Sequence, residues 1–247
     1  MRAAWSTVDG RQQTAGPIRG TLARVTPTAH RPGADGHGEP VDSRSRILRA
    51  ARQVLAERGL STTVDDVAAR AGISRRTVFR QFETRERLLA EAYAAGVQRY
   101  TEQLPVDDPG GDPAEWLVRL LHVVHRLNAG NGRIYWELAL TEHELSGELA
   151  AVASDRRRRR KRAATWVAST MWTARGGVGA PPPWLIDAFA IHLSAFSTAA
   201  LSVDFRRRPG EVAEVCARVL LAALDAALAE VRPDDVPMGA SSTAADG

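Results

Sequence analysis

Among the 247 residues there is one cysteine, Cys216, and one lysine, Lys161. A lone cysteine excludes an internal disulfide and any zinc site built from several thiolates, and it suits a reducing compartment. A cytoplasmic location is therefore expected. Long apolar runs are also missing. Charge interrupts each of them before the ~20 residues that a membrane span needs, and the N-terminal residues hold no continuous apolar stretch of the signal-peptide kind. No membrane partner is expected. Nor does any stretch alternate apolar and polar residues as a strand would, so the predicted fold is all-α, with about nine helices.

Catalytic signatures are equally scarce. There is no nucleophile elbow, no Walker loop and no dinucleotide-binding fingerprint, and Gly176-Gly177-Val178-Gly179 follows a helix with no strand before it. Glu142-His143-Glu144 shares the opening of a zinc-protease box, but Gly147 stands where the second histidine should fall. His122 and His125 sit on an i, i+3 step with no nearby acid pair. The chain is expected to hold no metal and no cofactor and not to be an enzyme.

What is present is patterned charge and helical periodicity. The net charge is only +4, yet residues 44–104 carry twelve arginines against seven acids. A basic lobe of this kind suits a polyanionic partner, because arginines that meet phosphates release condensed counterions. Residues 1–41 and 233–247 are poor in apolar residues and are expected to be a disordered arm and tail. Between them the sequence divides into residues 42–92 and a larger helical part, 93–232.

In the first part, Ile47, Leu48, Ala51, Val54 and Leu55 repeat at helical spacing after Asp42 or Ser43, either of which could cap, and Gly59 supplies a stop. Thr63 is placed to cap a second helix ending at Gly72, Ser74 a third reaching about Phe82, and Thr84 a fourth running to about Gln103. Beyond the loop PVDDPGGDP, helices are expected near 113–129, 133–143, 147–175, 183–204 and 210–231, separated by Gly- and Pro-rich turns.

The segment STTVDDVAARAGISRRTVFRQFETRERLL, residues 61–89, is the most informative. Val64, Val67, Ala68 and Ala71 give the second helix an apolar face, and Ile73, Val78 and Phe82 continue it across a tight glycine turn. Two short helices must then pack at a steep angle, as in a helix-turn-helix. Arg75, Arg76, Thr77, Arg80 and Gln81 project from the other side, and arginine and glutamine carry the bidentate patterns that read guanine and adenine edges.

Thr63, Val67, Ala68, Ala71, Gly72, Ile73, Ser74, Thr77, Val78, Phe79, Phe82, Thr84, Arg85 and Leu88 together resemble the N-terminal domain of the TetR/AcrR family. The resemblance implies a homodimeric regulator that binds a double-stranded, palindromic DNA operator. It makes Arg75 and Arg76 base readers, with Gln81 a further candidate, and Thr63, Thr77 and Arg85 phosphate anchors. Ser74 and Arg80 fall in the same DNA-facing set, and Arg44 and Arg46 are further backbone candidates. Phe79 stands where the family more often has tyrosine, which removes one phosphate hydrogen bond.

Two apolar stripes in the second part suggest a partner. Val212, Val215, Val219, Leu220 and Leu224 lie on one, and Phe189, Leu193 and Phe196 on the other, so two helices from each protomer could build a four-helix interface. The alternative is that both stripes are intramolecular core. By the same resemblance, Trp116, Leu120, His125, Trp136, Trp166 and Thr170 are candidates to line a cavity for a small-molecule effector. The cations at 156–162 cover every face of nearly two helical turns, so they must protrude, snorkel or meet acids such as Glu137, Glu142, Glu144 or Glu148. A solvated, self-repelling stretch is favoured over an anionic-ligand or nucleic-acid site.

The function expected is a repressor released from its operator by a ligand that prefers the non-binding state. The alternative is a non-inducible regulator or activator using the same helix-turn-helix.

Overall fold

The computed structural model describes residues 40–104 and 111–231. Most of the expected arm, the loop over 105–110 and the tail from 232 lie outside the described residues. Nine α-helices and two 3-10 turns make up the rest, with no strand among the described residues.

Helix α1 spans Pro40–Arg58 and buries Ile47, Ala51, Val54 and Leu55 along one face. It starts ahead of Asp42 and Ser43, so neither of these is its cap. Pro40 has the fixed φ that suits a first turn and lacks an N–H that would go unpaired there. Gly59, at φ +59°, ends α1 and opens a 3-10 turn over Gly59–Ser61.

Helix α2 (Val64–Ala71) begins with a reciprocal capping box. Thr63 Oγ1 accepts the Asp66 N–H at 3.1 Å, and the Asp66 carboxylate accepts the Thr63 N–H at 3.1 Å. Gly72 closes α2 in the left-handed conformation. Ser74 caps α3 (Arg75–Phe82), and Thr84 caps α4 (Arg85–Glu102). Between α3 and α4, Glu83 sits at φ 61°, ψ −53°, and the Thr84 N–H reaches back to the Phe82 carbonyl at 2.6 Å. This is a γ-turn of the strained hand.

The long helices follow. They are α5 (Pro113–Leu140), α6 (Gly147–Ala174), α7 (Pro183–His192), α8 (Ala195–Val203) and α9 (Pro209–Val231). The break expected at Asn131-Gly132 does not occur, and α5 runs through it. Helical glycine costs ~1 kcal/mol, whereas burying an Ile or Leu gains ~1.5–3 kcal/mol. Ile134 and Leu138, both buried, therefore outweigh the weak middle. Conversely, the single helix expected over 183–204 is two helices bent by 54°. Ser194 causes the break. Its hydroxyl accepts the Ser197 N–H at 3.3 Å and donates to the Ile191 carbonyl at 2.6 Å, satisfying both helix ends. No single described helix is long and apolar enough to cross a membrane, although the bent α7–α8 pair passes on length and composition.

Two apolar cores result. The first joins α1–α4 and continues into Ile134, Leu138, Leu149 and Ala153, so the far ends of α5 and α6 belong to the helix-turn-helix core. The second packs α5, α6, α7 and α9 around Leu117, Leu121, Met171, Trp172, Phe189 and Leu220. Helix α4 runs unbroken across the expected boundary at 92 and flanks the space between the cores.

Candidate functional site

The exposed side of α3 carries Arg76 and Arg80 one turn apart, and neither enters an ion pair among the described residues. Arg75 pairs with Asp65 at 2.5 Å and lies 5.2 Å from the Phe79 ring centroid. Both charged partners are more than half exposed, so the pair is weak and exchangeable for a phosphate or a base. Ser74 and Thr77 hydroxyls lie 2.9 Å apart at the start of α3. The Thr63 hydroxyl, at the start of α2, donates to Asp66 at 2.7 Å. Those hydrogen bonds from Thr63 hold the Asp66 carboxyl below its usual range, with Arg58 adding to the effect.

Three of the anticipated DNA-facing side chains are engaged elsewhere. Gln81 turns inward, and its amide donates to Ser43 Oγ on α1 at 2.7 Å. Arg44 donates to the Gln81 carbonyl at 2.9 Å, pairs with Glu91 and lies 4.4 Å from the Phe82 ring centroid. Arg85 donates to the Thr62 carbonyl at 2.7 Å and also to the Leu60 carbonyl. Arg44 and Arg85 thus brace α1, α3 and α4 against each other. Arg46 stays exposed.

A cavity of about 250 Å³ lies where the two cores meet. Helix α4 contributes Tyr93, Val97 and Tyr100, and α5 contributes Asn128 and Tyr135. Leu193, Ser194 and Phe196 come from the α7–α8 bend. Tyr135 meets Tyr93 and Tyr100 edge-on, at 5.8 and 6.0 Å. Burial raises all three phenols, Tyr135 to about 12. The fourth wall is α6, which contributes Trp166 and four arginines, Arg156, Arg159, Arg160 and Arg162.

The basic run of α6 is therefore not a uniformly solvated stretch. Arg157 meets Glu142 at 2.8 Å, one of the acids anticipated, and Arg159 pairs with Asp155. Arg160 donates to the Ala190 carbonyl at 2.6 Å and lies 5.8 Å from the Phe196 ring centroid. Arg156 is half-buried, with its Nε lacking a hydrogen-bond partner among the described residues. Desolvation works against the charge on Arg156 and Arg160, and the Arg156 cation adds to the effect on Arg160.

Of the six residues anticipated around a cavity, only Trp166 lines this one. Trp116 is buried behind it, edge-on at 5.8 Å, and Leu120 is core. Trp136 and Thr170 are half-buried and do not reach it. His125 is fully buried, with Nδ1 2.8 Å from Thr198 Oγ1, and desolvation lowers it to about 4. The lining residues that sequence reasoning missed lie on α4 and in the basic run. A signal existed for the run, because a helix carrying cations on every face must turn some of them inward.

The apolar stripes also divide differently from expectation. Phe189, Val212, Leu220 and Leu224 are fully buried in the second core, packed within the chain itself. Leu193 and Phe196 line the cavity. Val215 and Val219, 39% and 42% exposed, remain on the outer face of α9. No cluster of three or more metal-ligating side chains forms among the described residues.

The family model for bacterial regulatory proteins of the tetR family matches residues 47–92. Uncharacterised helix-turn-helix-type transcriptional regulators of Mycobacterium bovis and Mycobacterium tuberculosis are 32% identical over 84 residues, 34% of this chain. The chain matches only 43% of the length of those curated relatives. A solved tetR-family transcriptional regulator from Streptomyces coelicolor superposes with a TM-score of 0.60 at 17% identity, over 77% of this chain and 83% of that one. AibR, solved in complex with isovaleryl coenzyme A and operator DNA, gives 0.53 at 17% identity, over 72% and 97%. At such identities the likeness is one of fold. Residues 47–92 thus form a helix-turn-helix domain of the tetR family, and the described chain has the fold of solved tetR-family regulators.

Proposed function

We propose that this chain regulates transcription as a homodimer bound to operator DNA, and that a small molecule entering the cavity releases it. The observation that carries the reading is the course of α4. Its first turn braces the helix-turn-helix through Arg85, and its later turns present Tyr93, Val97 and Tyr100 to the cavity. A ligand that fits only one arrangement of those rings biases the tilt of α4, and with it the spacing of two recognition helices that must lie ~34–36 Å apart to enter successive major grooves. The shift is limited by the ligand's differential affinity for the two arrangements. AibR, with its fold likeness, was solved with both an acyl-coenzyme A and operator DNA, which supports the same two-site reading here.

Base contacts fall to Arg76, Arg80 and Arg75, and repression follows from occluding the promoter. Dimerisation is assigned to the outer faces of α8 and α9, where Val203, Val215 and Val219 are exposed. The test begins with duplexes selected from a random pool by the full chain. A two-fold symmetric site, bound by a species of twice the chain mass, is expected. Selection of no sequence, or binding by a monomer, would overturn the reading. Val215→Glu with Val219→Glu should halve the mass in solution.

A further inference from the structure

We propose that the cavity takes a compact apolar or aromatic acid, its anionic group seated between Arg156, Arg160 and Asn128. This rests on the reading that the chain is ligand-responsive and names the chemical class of the ligand.

Charge balance is the first argument. Among the described residues, four arginines line the cavity and no acidic residue does. Arg159 is answered by Asp155, and Arg160 is held by a carbonyl and a ring, neither of which brings a full negative charge. For Arg156 the nearby acid is Glu142, whose carboxylate is already engaged by Arg157 at 2.8 Å. Arg156 Nε has no hydrogen-bond partner among the described residues. A guanidinium stays protonated under all ordinary conditions, so it demands an anion and cannot escape by losing a proton.

Asn128 supplies the second argument. It is only 5% exposed, lines the same cavity, and its Nδ2 has no hydrogen-bond partner among the described residues. Buried donors are normally satisfied, and those left open at a cavity wall mark where an acceptor binds. An orphaned amide N–H and an orphaned guanidinium N–H on residues lining one cavity offer two donors to a carboxylate or similar oxyanion.

The remaining surface sets the rest of the molecule. Tyr93, Tyr100, Tyr135, Trp166, Phe196 and Leu193 enclose it with rings and apolar groups. Such walls favour a hydrophobic body over a sugar or a polyphosphate, which would lose hydration without replacement donors. A cation is repelled by the α6 arginines. About 250 Å³ sits just under the ~300–1,000 Å³ of sites for drug-sized ligands, so the body is compact.

The experiment titrates the full chain with benzoate, phenylacetate, cinnamate and octanoate, each against its neutral amide, by calorimetry and tryptophan fluorescence. At least one acid should bind, with its amide weaker by tenfold or more. Arg156→Gln should weaken that acid by at least tenfold and leave the amide unchanged. Lys161→Gln, in the same basic run but exposed and outside the cavity lining, should bind as the parent does. Thermal melts confirm that each variant is folded, and Arg156→Lys gives a second test of the charge. Equal binding of acid and amide, binding of none of the acids, or an unchanged affinity in Arg156→Gln would overturn the proposal. The same acid is then added to the chain bound to its selected duplex. Binding that leaves DNA affinity unchanged overturns ligand release alone, and release by an amide with no preference for the acid overturns the acid site alone.

Discussion

The carboxylate of Glu137, near the end of α5, accepts the backbone N–H of Leu60 at 2.6 Å, across 77 residues of sequence. Arg133 steadies the same carboxylate at 2.6 Å and also donates to the Glu57 carbonyl at the end of α1. A side chain on Gly59 would run into that carboxylate, and its φ of +59° is itself costly for any other residue. Glu137→Ala should destabilise the protein by about 1–3 kcal/mol, the cost of an orphaned, partly buried N–H. Gly59→Ala should cost at least as much, because clash and backbone strain act together. Urea unfolding read by circular dichroism checks both, and an unchanged midpoint in either variant would contradict the joint.

Arg76 and Arg85 should fail in different ways. Arg76 stands free on α3, so Arg76→Ala should keep the melting temperature and relax sequence preference by about 1–3 kcal/mol at one position of the site. Arg85 holds two carbonyls of the turn before α2, so Arg85→Ala should lower the melting temperature as well as weakening every duplex. Binding titrations against salt, run beside thermal melts, separate the two. A fall of about one in the salt slope for Arg85→Ala, with no change in stability, would mean that it acts on phosphate alone.

Glu83 adopts its γ-turn conformation at an energetic cost, at the tight corner between α3 and α4. Glu83→Gly should raise stability by about 1 kcal/mol, since glycine reaches this region without Cβ strain and the exposed ion pair to Arg87 contributes little. Chemical denaturation measures the gain. A loss would mean that the turn is relaxed.

His125 carries the acid sensitivity of the second core. Its pKa falls from 6.5 to about 4 because burial disfavours the imidazolium; a hydrogen bond to the His192 backbone opposes the fall, and the His192 and His122 charges add to it. The folded state therefore takes up its proton later than the unfolded chain. The stability contributed is complete above pH 6.5 and is lost as pH falls toward 4, by about 2 kcal/mol at pH 5. His125→Gln cannot take up this proton and should flatten that part of the curve. Unfolding at pH 7.5 and pH 5 gives the comparison, and equal losses in parent and variant would assign the sensitivity to other groups.

The caps and the helix-turn-helix were legible because they are local. Thr63, Ser74 and Thr84 each satisfy amides within three residues, so sequence spacing alone locates them. The continuity of α5 was not, because a core formed with residues far away overrides a weak Asn-Gly pair. The kink at Ser194 had a signal, a serine three residues before another, but it competed with a long apolar pattern. The cavity was the least legible. Its wall is assembled from four elements, and the inward turn of Arg156 depends on the angle at which α6 crosses α4. The outer stripe of α9 was recognised as apolar, but which residues face inward depends on a helix-packing rotation that periodicity leaves free.

Lys161, the sole lysine, has a practical consequence. It is exposed and lies between Arg160 and Arg162, both of which line the cavity. Cys216 is fully buried, and burial pushes its thiol up to about 11, so maleimide chemistry has little to act on. An amine-reactive fluorophore would instead place one side-chain label on α6, within the basic run that forms one wall of the cavity. That label would follow occupancy in real time on the unmutated polypeptide.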